Sequence, residues 1–179
     1  MNKGTTGLHR FFAFWLLMIV GIALNGCGYH HVGSVAGSPV GGKDGVHIPV
    51  FANKSYHPGL ETVLTSNLVD EFARRSGGKA VDEAAARLVL SGAVLSYAVT
   101  PVSYTAADKI REYRLTIKVV ATLSDRQSGK VLWKGELSGS QDYPANSNLA
   151  LQQNSEDAAV REICRRLAEQ IHEKTQEDF

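Results

Sequence analysis

The stretch YRLTIKVVATL, residues 113–123, constrains the fold more than any other part of the chain. Tyr113, Leu115, Ile117, Val119, Ala121 and Leu123 fall on one side, and Arg114, Thr116, Lys118 and Thr122 fall on the other. A helix would scatter both sets around its axis. In a strand, successive side chains point to opposite faces, so this segment packs one face on a core and turns the other toward something polar.

Neighbouring segments supply partners for that strand. RLVLSGAVLSYAV (87–99) reads as a long apolar strand that halts near Pro101, and KVLWKGEL (130–137) follows the turn SDRQSG, which predicts a hairpin. VHIPVF (46–51) reads as a short first strand. Between residues 58 and 76, Leu60, Val63, Leu64, Leu68 and Phe72 recur at helical steps, with Pro58 suited to the first turn and Gly77-Gly78 as the stop. A last helix carries the stripe Val160, Ile163, Cys164, Leu167, Ala168 and Ile171. Asn154 or Ser155 are its candidate caps, with Glu156 and Asp157 in its first turn. The element order is β-α-β-β-β-α. Two helices then cover one face of a four-stranded mixed sheet, an α+β two-layer sandwich, with the first strand parallel to its neighbour because a helix intervenes.

The N-terminus carries a different signal. Lys3, His9 and Arg10 precede the apolar run FFAFWLLMIVGIAL (11–24), which is too short for a membrane span of roughly 20 residues. It has the form of an export signal over residues 1–26. Leu24-Asn25-Gly26-Cys27 is similar to the bacterial lipobox, and the similarity implies cleavage before Cys27 and lipidation of its thiol and new amino group. Gly28 stands where an aspartate would retain a lipoprotein at the inner membrane, so outer-membrane delivery is expected. Residues 27–45 are glycine-rich without apolar periodicity and read as a flexible lipidated tether, leaving 46–175 as the folded domain.

Removing residues 1–26 takes away Lys3 and Arg10. The 19 basic residues fall to 17, against 18 acidic ones. That near-neutral balance argues against a nucleic-acid partner, which needs a basic surface. Cys164 is the only cysteine besides Cys27, so no disulfide framework is expected, and its place in the helix stripe reads as a small buried hydrophobe.

The chemistry of the sequence is sparse. It contains no GxSxG elbow, HExxH, CxxC or phosphate-cradling glycine loop. Asp82-Glu83 and Glu156-Asp157 are adjacent acids of the kind found in solvated turns and helix starts. His30-His31 lacks further ligands at metal-binding spacing, and Asn53-Lys54-Ser55 is a chance sequon in a chain with a bacterial lipobox. No catalytic residue, metal or cofactor is expected.

The combination of CGYHH (27–31), IPVFANKSYHPGLE (48–61), EYRLTIKVVATL (112–123) and REICRRLAEQI (161–171) resembles the LptE family of lipopolysaccharide-assembly lipoproteins, over roughly 27–172. The resemblance implies a non-catalytic protein on the periplasmic side of the outer membrane. It would plug the lumen of the LptD β-barrel, assist its assembly and bind lipopolysaccharide in transit. Lipopolysaccharide carries phosphates and acyl chains, so its site should combine cations with apolar surface. The segment PVSYTAADKIRE (101–112) offers Lys109 and Arg111 beside Tyr104 and Ile110. Family members place another basic residue before the last helix; here that position reads Gln152-Gln153. A protein-binding adaptor or activator lipoprotein of another envelope system would share the same signal, tether and domain.

Overall fold

The computed structural model describes residues 45–75 and 80–177. Cys27, Gly28, His30, His31, the export segment, the tether up to residue 44 and the Gly77-Gly78 stop lie outside them. The alternating segment forms the middle of the sheet, as its pattern requires. This strand, β4 (Ile110–Asp125), pairs antiparallel with β3 (Ala86–Tyr104) on one side and with β5 (Val131–Pro144) on the other. The first strand appears as two short pieces, β1 (Gly45–His47) and β2 (Ala52–Asn53), both parallel to β3. Two helices, α1 (Leu60–Arg75) and α2 (Leu149–Glu177), pack on one face and on each other. Sheet order is β1/β2-β3-β4-β5, so the expected α+β two-layer architecture is the one observed.

The core lies where the two apolar patterns meet. Leu115, Ile117, Val119, Ala121 and Leu123 of β4 are fully buried against Leu64, Leu68 and Phe72 of α1 and Ile163, Leu167 and Ile171 of α2, all in one cluster.

Several boundaries differ from the sequence reading, each for a physical reason. Pro49 interrupts the first strand because it has no N–H to donate to a ladder. The chain instead anchors through the Phe51 N–H, which donates to Thr65 Oγ1 at 3.0 Å. Helix α1 begins at Leu60 rather than at Pro58, after Gly59 at φ 85°, a conformation glycine adopts without strain. Pro101 does not stop β3. The parallel pieces end opposite Val94, so among the described residues β3 has a free edge beyond it, and the ladder to β4 shifts register between Pro101 and Ser103. Free edges and bulges are the places where a sheet tolerates proline. Strand β5 continues past Leu137 to Pro144 because β4 supplies a partner along its whole length. Helix α2 starts five residues before Asn154. Asn148 caps it, its Oδ1 accepting from the N–H groups of Ala150 (3.0 Å) and Leu151 (3.2 Å). Glu156 and Asp157 therefore sit beyond the first turn.

The loop into α1 is held by side chains. Asn53 Nδ2 donates to the His57 carbonyl (2.8 Å) and to Glu61 Oε2 (2.6 Å), while Asn53 Oδ1 accepts from the Ser55 N–H (2.9 Å).

Candidate functional site

Both helices lie on one side, which leaves the other sheet face without a covering element among the described residues. Strand alternation projects Arg114, Thr116, Lys118 and Thr122 of β4 onto this face, flanked by Ser96, Ala98 and Thr100 of β3 and by Lys134, Glu136, Ser138, Ser140 and Asp142 of β5. Half of them are serine or threonine, and Val120 of β4 lies among them opposite Glu136. The Thr116 and Ser140 hydroxyls lie 2.9 Å apart across the strands. Arg114 makes a two-pronged contact with Asp142, Nε to Oδ1 at 2.7 Å and Nη2 to Oδ2 at 2.8 Å. That bond holds the Asp142 carboxyl below its ordinary pKa and raises that of Arg114. The polar half of the alternation pointed to such a face; the Arg114–Asp142 pairing, 28 residues apart, had no local signal.

The sheet extends at one end into the β3–β4 hairpin tip. Tyr104 and Ile110 are its closing cross-strand pair. Between them the Thr105 N–H donates to the Lys109 carbonyl (2.8 Å), the Lys109 N–H donates to Thr105 Oγ1 (3.2 Å), and Asp108 turns the chain at φ 55°. Lys109 thus sits in the turn and Arg111 in β4. Both are exposed, and neither makes an ion pair among the described residues. Arg111 stands at a bulge: Ser103 faces Glu112 and Tyr104 faces Ile110, which leaves Arg111 between them with no residue opposite.

The Arg111 carbonyl accepts the Ala145 N–H at 2.9 Å, so the connection from β5 to α2 runs beside it. That connection leads into Leu149 and Leu151, which are 80% and 51% exposed. These two leucines escaped the sequence reading because it started the helix later. Gln152 and Gln153 lie within α2 rather than before it. Gln152 Oε1 accepts the Asn146 N–H at 2.7 Å, and Gln153 Nε2 donates to Asp157 Oδ1 at 3.0 Å.

Behind the tip, Glu156 ties α2 to two strands. Its carboxylate accepts the Tyr97 hydroxyl of β3 and, at 3.4 Å, the Tyr143 hydroxyl of β5. His57 stacks on the Tyr97 ring with centroids 4.3 Å apart. Burial, then the Glu156 charge, pushes Tyr143 up to about 12, and burial with the Glu156 hydrogen bond also raises Tyr97. An unfolded tyrosine titrates near 10. The stabilisation linked to these two groups is therefore fully present below pH 10 and lost progressively as pH rises toward and past 12. Urea unfolding between pH 8 and 12 should trace that decline. In Glu156→Gln the phenolate absorbance should appear at lower pH than in the wild type.

Cys164 is fully buried, and burial alone pushes its thiol up to about 12, which makes it a poor nucleophile. Among the described residues no three His, Cys, Asp or Glu side chains converge as a metal site, and no helix is long and apolar enough to cross a membrane.

Rare lipoprotein B from Shewanella oneidensis is 21% identical, with a TM-score of 0.49 over 72% of this chain and 92% of that one. A minor lipoprotein from Acinetobacter baumannii is 20% identical, with a TM-score of 0.46 over 73% and 89%. No curated protein matches the chain. The family model LptE, described as lipopolysaccharide-assembly, matches residues 44–175, which is nearly all of the described domain. The chain belongs to the LptE lipopolysaccharide-assembly family.

Proposed function

We propose that this protein is an outer-membrane lipoprotein, anchored on the periplasmic side through lipid on Cys27, that plugs the LptD β-barrel, assists its assembly and binds lipopolysaccharide on the way to the cell surface. Membership of a lipopolysaccharide-assembly family supports the pathway. The observation that carries the plug is the uncovered sheet face. It is a surface of serine, threonine and charged side chains, with Arg114 paired to Asp142, suited to the polar, water-filled lumen of a wide barrel. Acylation at Cys27 supplies the anchor, since several chains hold a protein at a membrane where one binds only marginally.

The hairpin tip is the lipopolysaccharide-binding part of this reading. Lys109 and Arg111 carry charge without an ion-pair partner in the described domain, and Tyr104, 56% exposed, closes the same tip. Phosphate would pair with the cations, and sugar or acyl groups would lie against Tyr104 and the leucines that open α2.

The experiment is extraction of the native protein in mild detergent. A large barrel protein should co-purify with it, and depletion should lower the amount of assembled barrel. Unchanged barrel levels would point to an adaptor of another envelope system. For the tip, Lys109→Glu with Arg111→Glu should weaken binding to purified lipopolysaccharide roughly tenfold to several hundredfold, with an unchanged circular dichroism spectrum. Wild-type affinity in the folded double variant would move the lipid site elsewhere.

A further inference from the structure

Strand β5 is an edge. It pairs with β4 along one side, and no described strand lies along the other. An edge of 14 residues leaves a row of backbone donors and acceptors facing outward, which proteins normally blunt or use. Here the blunting covers only one end. The Arg166 guanidinium of α2 donates to the Ser140 carbonyl at 3.0 Å, and the Gln141 side-chain amide donates to the Asp142 carbonyl at 3.1 Å. Those two contacts also reveal the phase of the strand: the backbone groups of even-numbered residues point away from β4. From Trp133 to Gly139 the ladder to β4 is regular, so Lys134, Glu136 and Ser138 present their N–H and C=O groups outward. No hydrogen bond to them appears outside the β4–β5 ladder among the described residues.

The side chains of the same residues decide what fits. Lys134 and Glu136 are exposed on the uncovered face and make no ion pair among the described residues. A strand guarded against pairing carries charges that repel an incoming copy. This one carries Lys134-Gly135-Glu136, which is complementary to itself when reversed.

We infer that a second copy of this chain adds to the free part of β5, antiparallel, with the two-fold axis at Gly135. In that register Lys134 faces Glu136 of the second copy and Glu136 faces Lys134, so each pair exchanges two backbone hydrogen bonds and one ion pair. Shifting by one pairing step sets Lys134 against Lys134 in one direction and Glu136 against Glu136 in the other. A register that pairs Lys134 with Asp142 needs the carbonyls already taken by Arg166 and Gln141. With the axis at Gly135, the partner strand begins at its Val131 opposite Gly139, one residue short of the Arg166 cap. Backbone capping and charge pattern thus select the same alignment. The two sheets become one continuous sheet with the serine- and threonine-rich faces on the same side. This goes beyond the barrel reading and does not depend on it: a domain enclosed in a barrel has its β5 edge covered, so the dimer is a state of the protein outside the barrel.

The test is sedimentation of the full-length mature protein, produced without a barrel partner and held in detergent, across a dilution series. Wild type is expected to dimerise. Lys134→Glu and Glu136→Lys should each weaken the dimer about tenfold or more, because two attractive cross-strand pairs become repulsive. An equimolar mixture of the two variants, and the double variant K134E/E136K, should both return to wild-type association. A wild type that stays monomeric throughout would overturn the proposal and leave the charges as guards of the edge. So would a dimer indifferent to either reversal, which would reflect two lipid anchors sharing a micelle.

Discussion

Replacing Gly92 with alanine is expected to destabilise the domain by about 3 kcal/mol or more, the upper end for overpacking. Gly92 lies in β3 opposite Ala121 of β4. A Cβ built there collides with the Val120 carbonyl oxygen and with the Phe51 ring. The first obstacle is backbone in the central strand and cannot swing aside. The second is the fully buried ring of a residue whose backbone N–H is held by Thr65. Relief requires moving β3 away from β4, which breaks the longest ladder in the sheet. The midpoint of urea unfolding should fall steeply while the slope stays near its wild-type value. A midpoint within error of wild type would mean that the two strands have slack at this crossing. At Gly139, by contrast, a Cβ meets Ile163 Cγ2 at 2.7 Å, a side-chain atom that can rotate, so Gly139→Ala should cost less.

Phe72→Ala should cost about 3–5 kcal/mol, the range for emptying a buried aromatic site. Phe72 sits on α1 with no exposed surface, and its ring meets His172 of α2 edge to face at 4.8 Å between centroids. It is therefore a principal contact between the two helices as well as between α1 and the sheet. Beside it, Glu71 is buried and bonded to Arg74 at 2.5 Å and to Arg75, so the helix end cannot collapse into the gap without burying charge. Phe72→Leu refills most of the volume and should cost less than about 1.5 kcal/mol. Chemical denaturation of the two variants side by side separates lost volume from lost helix contact. Equal costs for alanine and leucine would show that ring geometry, not volume, holds the helices together. In a protein proposed to fill a barrel, the alanine change should also lower the yield of assembled barrel, because only the folded domain can occupy the lumen.

What was legible in the sequence was what local periodicity encodes. The alternation of 113–123 placed β4, its buried face and the polar character of the opposite face. The three- and four-residue steps of Leu60 to Phe72 and of Val160 to Ile171 placed both helices on the core. Parallel pairing of the first strand followed from the helix between it and β3. Lys109 and Arg111 were visible as cations near a turn, but their placement about the ribbon depends on the hairpin register, which the sequence does not display.

The tertiary structure decided the extents and the long-range partners. A strand lasts as long as its neighbour offers backbone groups. β5 therefore runs through Gly139, Gln141 and Asp142 against β4 although its own apolar pattern has faded. β3 passes Pro101 because no described strand beyond Val94 asks for the missing N–H. The start of α2 was set by one side chain, Asn148, rather than by the apolar stripe several residues later. The Tyr97–Glu156–Tyr143 clamp, the Arg114–Asp142 pair and the Arg166 cap on Ser140 join residues from 13 to 59 positions apart. Periodicity carries which face of an element is apolar; which polar groups meet depends on how the sheet and the two helices lie against one another.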